Sequence, residues 1–144
     1  MDPYQFLLLA EWMLKEQAHP AGCRSAVSRA YYAAHHCLKD FVEAAGVNIR
    51  KSGEAHADVW NHLSQTSDAE LEQIGYDLSE LQSARIDADY RLQVKDIEGH
   101  STARAHCLDA REMFETVRKV RADQARFERV KRAIVAANRK LRGT

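Results

Sequence analysis

From Cys23 to Ala45 neither proline nor glycine interrupts the chain, and Val27, Ala30, Tyr31, Ala34, Leu38, Phe41, Val42 and Ala45 recur on one helical face. That length and period predict a single amphipathic helix over about 21–45, with Gly46 as its C-cap. Its alanine-rich side is a core face. On the opposite side Arg29, Tyr32 and His36 fall at offsets of zero, three and seven, so they share one stripe.

The rest of the chain has the same character. Two prolines and six glycines interrupt 144 residues, and the composition favours helix over sheet. Asp2-Pro3 predicts a first helix to about Gln17, burying Phe6, Leu9 and Met13, with His19-Pro20 closing it. A loop over Val47 to Gly53 precedes a short helix over about Ala55 to Leu63. Ser67 and Glu70 form a capping-box pattern that opens a helix to about Tyr90. Leu92 to His100 reads as irregular, and a last helical region starts at Ser101. Its apolar stripe (Ala103, Cys107, Ala110, Phe114, Val117, then Phe127, Val130, Ile134, Ala137, Leu141) fades over Arg121 to Arg126, which predicts a bend. The expected architecture is an all-α, up-and-down bundle of four to five helices over residues 1–120, followed by a basic amphipathic helical extension over 121–144.

Three cysteines with no close pair suit a reducing compartment better than a disulfide framework. Phe6 to Ala10 is too short for a secretory h-region or a membrane span, so a cytoplasmic location is expected. His56 and His62, like His100 and His106, are six apart and off one helical face, so no metal and no cofactor is expected. Net charge is formally zero, yet residues 1–103 hold nine Lys/Arg against sixteen Asp/Glu, and residues 104–144 hold twelve against five. An acidic body with a basic tail points either to an anionic partner or to internal complementarity.

Arg24 to Phe41, with its Ser-Arg-Ala-Tyr-Tyr-Ala core and following histidines, resembles the HEPN family of small helical proteins. A second motif, Leu81-Gln82-Ser83-Ala84-Arg85-Ile86-Asp87-Ala88-Asp89-Tyr90, agrees in order and spacing. The resemblance covers roughly residues 3–120. It implies a helical bundle that dimerises. It also implies a place in a toxin–antitoxin or defence module, acting either as a metal-independent endoribonuclease or as an adaptor paired with a small nucleotidyltransferase. The catalytic signature it implies is an arginine followed, after four to six intervening residues, by a histidine. From Arg85, four intervening residues lead to Tyr90 and six to Leu92. Arg29 and His36 satisfy the spacing, but on the second helix.

Metal-free RNA cleavage needs a base near the 2′-hydroxyl, an acid at the leaving oxygen and a cation for the phosphorane charge; histidine suits the first two and arginine the third. The expected catalytic group is therefore Arg85, His36, Asp89 and Tyr90, with Arg29 and Tyr32 as RNA or partner contacts. Tyr90 can donate a hydrogen bond but is a poor base near pH 7. The plainer alternatives are a helical Arg85–Asp89 ion pair, hydrogen-bonded histidines at 35 and 36, and a core Tyr31. On the tail, Arg126, Arg129, Lys131, Arg132, Arg139, Lys140 and Arg142 flank the apolar stripe, and the reading is contact with RNA or a cognate protein. No aromatic platform accompanies them, so sequence-specific readout is not expected.

Overall fold

A computed structural model of the chain describes residues 1–49 and 55–142, with side chains through Lys140. The chain runs α1 (Tyr4–Glu16), α2 (Pro20–Ala44), α3 (Ala55–Leu63), α4 (Ala69–Tyr90), a 3-10 turn (Asp96–Glu98), α5 (His100–Ala122) and α6 (Gln124–Arg142). The described residues thus hold six α-helices where four to five were expected in the bundle. Part of the predicted Val47–Gly53 loop, the Leu141 and Arg142 side chains and Gly143 lie outside the described residues.

Local chemistry accounts for the helix ends. The Tyr4 N–H donates to the Asp2 carboxylate at 2.9 Å. The Gly22 N–H donates to His19 Nδ1 at 3.1 Å, and Pro20 occupies the first turn of α2, so His19 caps that helix. The predicted capping box is corrected by one residue. Asp68, in extended backbone, accepts from the Leu71 N–H at 3.2 Å, while Ser67 takes a left-handed φ of 55° and belongs to the preceding turn. The fading stripe predicted a bend, and α5 gives way to α6 at Asp123 (φ −100°, ψ 95°).

α2 is the central element and packs on α1, α3, α4, α5 and the 3-10 turn. Its predicted face is the core: Val27, Ala30, Tyr31, Ala34, Leu38, Phe41, Val42 and Ala45 are all fully enclosed. Phe6 lies against His36. Arg24, near the start of α2, reaches the end of α4. Both neighbours therefore run antiparallel to α2, whereas α5 runs parallel, with Cys107 beside Ala26 and Arg121 beside Phe41.

In α1 the expected stripe is wrong by one position. Leu7, Ala10 and Leu14 are buried, Phe6 and Met13 are half-buried, and Leu9 is exposed. Residues 6 to 9 are apolar all round, so periodicity does not choose a face; packing against both α2 and α5 does. α6 packs on the body through Val130 and Ile134, both buried, and through Phe127, 5.7 Å from the Phe41 ring. Among the described residues no helix is long and apolar enough to cross a membrane.

Candidate functional site

The Arg29 stripe of α2 meets α1 on one side and α4 on the other. The Arg29 guanidinium lies 5.4 Å from the Phe6 ring centroid and 5.0 Å from that of Tyr32. His36 stacks on Phe6 (6.3 Å, 24° between planes) and on Tyr32 (6.4 Å, 29°). Arg29 and Tyr32 are half-buried and His36 is exposed, so an arginine, a phenol and an accessible imidazole share one surface.

Behind that surface sits Arg85, only 8 % exposed, with its guanidinium 5.3 Å from the Tyr31 ring and 5.5 Å from the Tyr32 ring. Its Nη1 is 3.8 Å from Asp89 Oδ2, which also accepts from the Ser28 hydroxyl at 3.1 Å. Among the described residues the buried Nε of Arg85 has no hydrogen-bond partner. The structure therefore brings Arg29, Tyr32, His36, Arg85 and Asp89 into one connected group. Tyr90 stands apart: it is 74 % exposed at the end of α4 and makes no ring contact or hydrogen bond with the group.

Sequence reasoning missed a second, enclosed layer. His35 is buried and stacks on His56 of α3 at 4.4 Å, and Tyr31 shares a short hydrogen bond with His56 Nδ1. Burial, then the neighbouring His56, His36, Lys39 and Arg85, push His35 down to about 3. Burial, Arg85 and His36 lower His56 as well, so both rings are neutral near pH 7. Burial raises the Tyr31 phenol. His35 carried a signal in the sequence, since it lies four residues from Tyr31 on the core face. His56 carried none, because only the tertiary fold brings α3 to this end of α2.

Arg24 was also missed, and it organises the end of α4. It bonds the carbonyl oxygens of Asp87 (2.9 Å), Ala88 (3.2 Å), Leu92 (3.2 Å) and Val94, and pairs with Glu98 at 2.6 Å. A cation at a helix C-terminus satisfies carbonyls that have no partner within the helix. Asp89 is thereby held beside Ser28.

The tail residues divide. Arg126 is turned inward, bonding Asp68 at 2.7 and 2.9 Å and Glu70 at 3.1 Å, so its guanidinium is engaged within the chain. That bond is the main reason the Asp68 carboxyl is lowered. Arg129, Arg132, Arg139 and Lys140 are exposed and Lys131 is half-buried. Among the described residues Arg129, Lys131, Arg132 and Arg139 form no ion pair with the body. Among the described residues no three His, Cys, Asp or Glu side chains converge as a metal site.

A family model described as HEPN domain matches residues 9–126, which takes in α2 to α5 and ends just inside α6. No curated protein and no solved structure matches the chain.

Proposed function

Because this chain belongs to the HEPN-domain family, we propose that it is an RNA-directed protein of a cytoplasmic toxin–antitoxin or defence module, working at the Arg29–Tyr32–His36 surface as a metal-independent endoribonuclease. The observation that carries this reading is the exposed His36 imidazole stacked beside Tyr32 and Phe6, with the Arg29 cation over the same two rings. His36 takes the proton of a ribose 2′-hydroxyl as that oxygen attacks the phosphorus. Arg29 meets the charge that develops on the phosphorane. The 5′-oxygen leaves with a proton from an imidazolium, and the products are a 2′,3′-cyclic phosphate and a 5′-hydroxyl. A homodimer supplies that second imidazole from the other copy of the stripe. Arg85 is too enclosed to meet phosphate directly. It acts as a positioning residue that holds Tyr32 from beneath.

The second reading is a non-catalytic adaptor that holds a nucleotidyltransferase or another effector protein. The enclosed Arg85 and the tyrosine at position 90 favour it. The experiment is cleavage of a mixed RNA pool by purified protein in EDTA, with wild type, His36→Ala, Arg29→Ala and Arg85→Lys compared. The catalytic reading expects a loss of about 10²-fold or more in His36→Ala, the usual range for removing a general acid–base group. A folded wild-type protein that leaves the RNA intact overturns it in favour of the adaptor. A monomer by light scattering removes the shared-groove mechanism.

A further inference from the structure

On the other side of α1, the last turn of that helix and the first turns of α5 line an open pocket of about 500 Å³, formed by Glu11, Leu14, Lys15, Ala18, His100, Arg104, Cys107 and Leu108. Its volume falls within the roughly 300–1,000 Å³ range of small-molecule sites. We propose that this pocket binds a small organic anion: an apolar body of acyl size seated on Leu14, Cys107 and Leu108, and a carboxylate held by Lys15 and Arg104.

Three observations support the assignment. First, the charge at the mouth is unbalanced. Lys15 and Arg104 are exposed and form no ion pair among the described residues, while Glu11 is neutralised by a bidentate bond from Arg111 at 2.5 and 2.6 Å. Second, the mouth sits at the first turn of α5, whose N-cap, Gly99, provides no side-chain cap; the open N–H groups add positive potential beside Arg104. Third, the walls are fixed. The His100 ring bonds the Leu14 carbonyl through Nε2 at 3.1 Å, tying the end of α1 to the start of α5, and the Cys107 thiol, pushed up by burial to about 12, points to the Ala26 carbonyl at 3.9 Å. That thiol is an apolar wall, not a reactive group. The inference stands independently of the RNA reading, because the two sites share no residue.

The test uses octanoate as the probe, with octanol and octylammonium as controls, followed by amide chemical-shift mapping of the full chain. Octanoate is expected to move the signals of Leu14, His100, Arg104 and Leu108, and to bind about tenfold or more tightly than octanol. Octylammonium is expected to bind more weakly still. The double variant Lys15→Glu/Arg104→Glu changes only exposed side chains and is expected to keep the wild-type spectrum elsewhere while losing that preference. Equal binding of octanol and octanoate, shifts centred away from α1 and α5, or no binding at millimolar octanoate would each overturn the proposal.

Discussion

Replacing Arg24 with alanine is expected to be the most damaging single change at the α4 terminus. The side chain is 8 % exposed and its guanidinium serves the Asp87, Ala88, Leu92 and Val94 carbonyls together with Glu98. Truncation strands the Ala88, Leu92 and Val94 carbonyls, while that of Asp87 keeps the Arg91 N–H at 3.1 Å, and among the described residues it leaves Glu98, itself largely covered, with the exposed Lys95 at 3.8 Å. A hydrogen bond to a charged group contributes about 1.5–3 kcal/mol, and removing one partner of a buried ion pair costs about 3–5 kcal/mol. The bonds share one cation and do not add, so the expected loss is about 3–5 kcal/mol of a total near 5–15.

Urea unfolding followed by circular dichroism reads that loss directly, as a fall in midpoint with little change in slope. Arg24→Lys separates charge from shape: an ammonium keeps the charge but lacks the planar fork, so it is expected to recover less than half of the loss. Glu98→Gln removes the ion pair and spares the carbonyl bonds, and is expected to cost less than Arg24→Ala. The reasoning fails if Arg24→Ala costs under about 1 kcal/mol, or if Glu98→Gln matches it. In the first case the carbonyls find water without penalty; in the second the ion pair alone does the work.

The enclosed histidines make stability depend on acid. His35 is lowered to about 3 and faces Tyr31, His36 and Lys39 on α2, His56 on α3 and Arg85 on α4. The unfolded chain takes up protons below the ordinary value of 6.5 that the folded chain refuses, so stability is full above that value and falls as the pH drops from there towards 3. His35→Gln is expected to flatten the slope of urea midpoint against pH between about 6 and 4, and an unchanged slope would count against burial as the cause. Arg126→Ala is expected to cost about 1–2 kcal/mol, less in high salt, and to speed amide exchange in α6 while leaving RNA affinity unchanged. A selective loss of RNA binding would make it a contact residue. Gly22→Ala is expected to destabilise by about 1–3 kcal/mol, because its Cβ would meet the Gln17 carbonyl oxygen at 1.7 Å; a thermal midpoint within a degree of wild type would show that the α1–α2 turn shifts freely.

The sequence made the elements legible wherever pattern and cap chemistry agreed. α2 shows why: its alanine-rich stripe, the proline that closes the helix before it and its glycine end all point to the same helix, and the core face followed. α1 shows the opposite. Its apolar residues run round the helix, so which of them is buried depends on α5, some hundred positions away in sequence. The surface group was legible because Arg29, Tyr32 and His36 share one helix, where spacing is geometry. The enclosed layer was not, since the stack of His35 on His56 joins two helices whose pairing no local signal encodes. Arg24 was equally silent: apart from Glu98, its partners are main-chain oxygens, which carry no residue identity to read.

The charge asymmetry of the chain also divides in a way that composition cannot show. Glu11 takes Arg111, Glu70 takes Lys119, and Asp68 with Glu70 takes Arg126. Internal complementarity therefore claims Arg111 and Lys119 of α5 and Arg126 in the first turn of α6, and its structural consequence is to bring α6 onto the body beside the capped start of α4. Arg129, Arg132 and Arg139 are exposed and form no ion pair among the described residues, while Val130 and Ile134 between them are buried. A helix fixed by its apolar side and left cationic on its outer side is a rigid electrostatic surface, and rigidity lowers the ordering cost of binding an anion. If RNA runs from the His36 stripe onto α6, reversing Arg129 and Arg132 to glutamate lowers affinity uniformly across RNA sequences and reduces the salt slope. If α6 instead faces an acidic protein, the same variant leaves RNA binding intact and loses the partner.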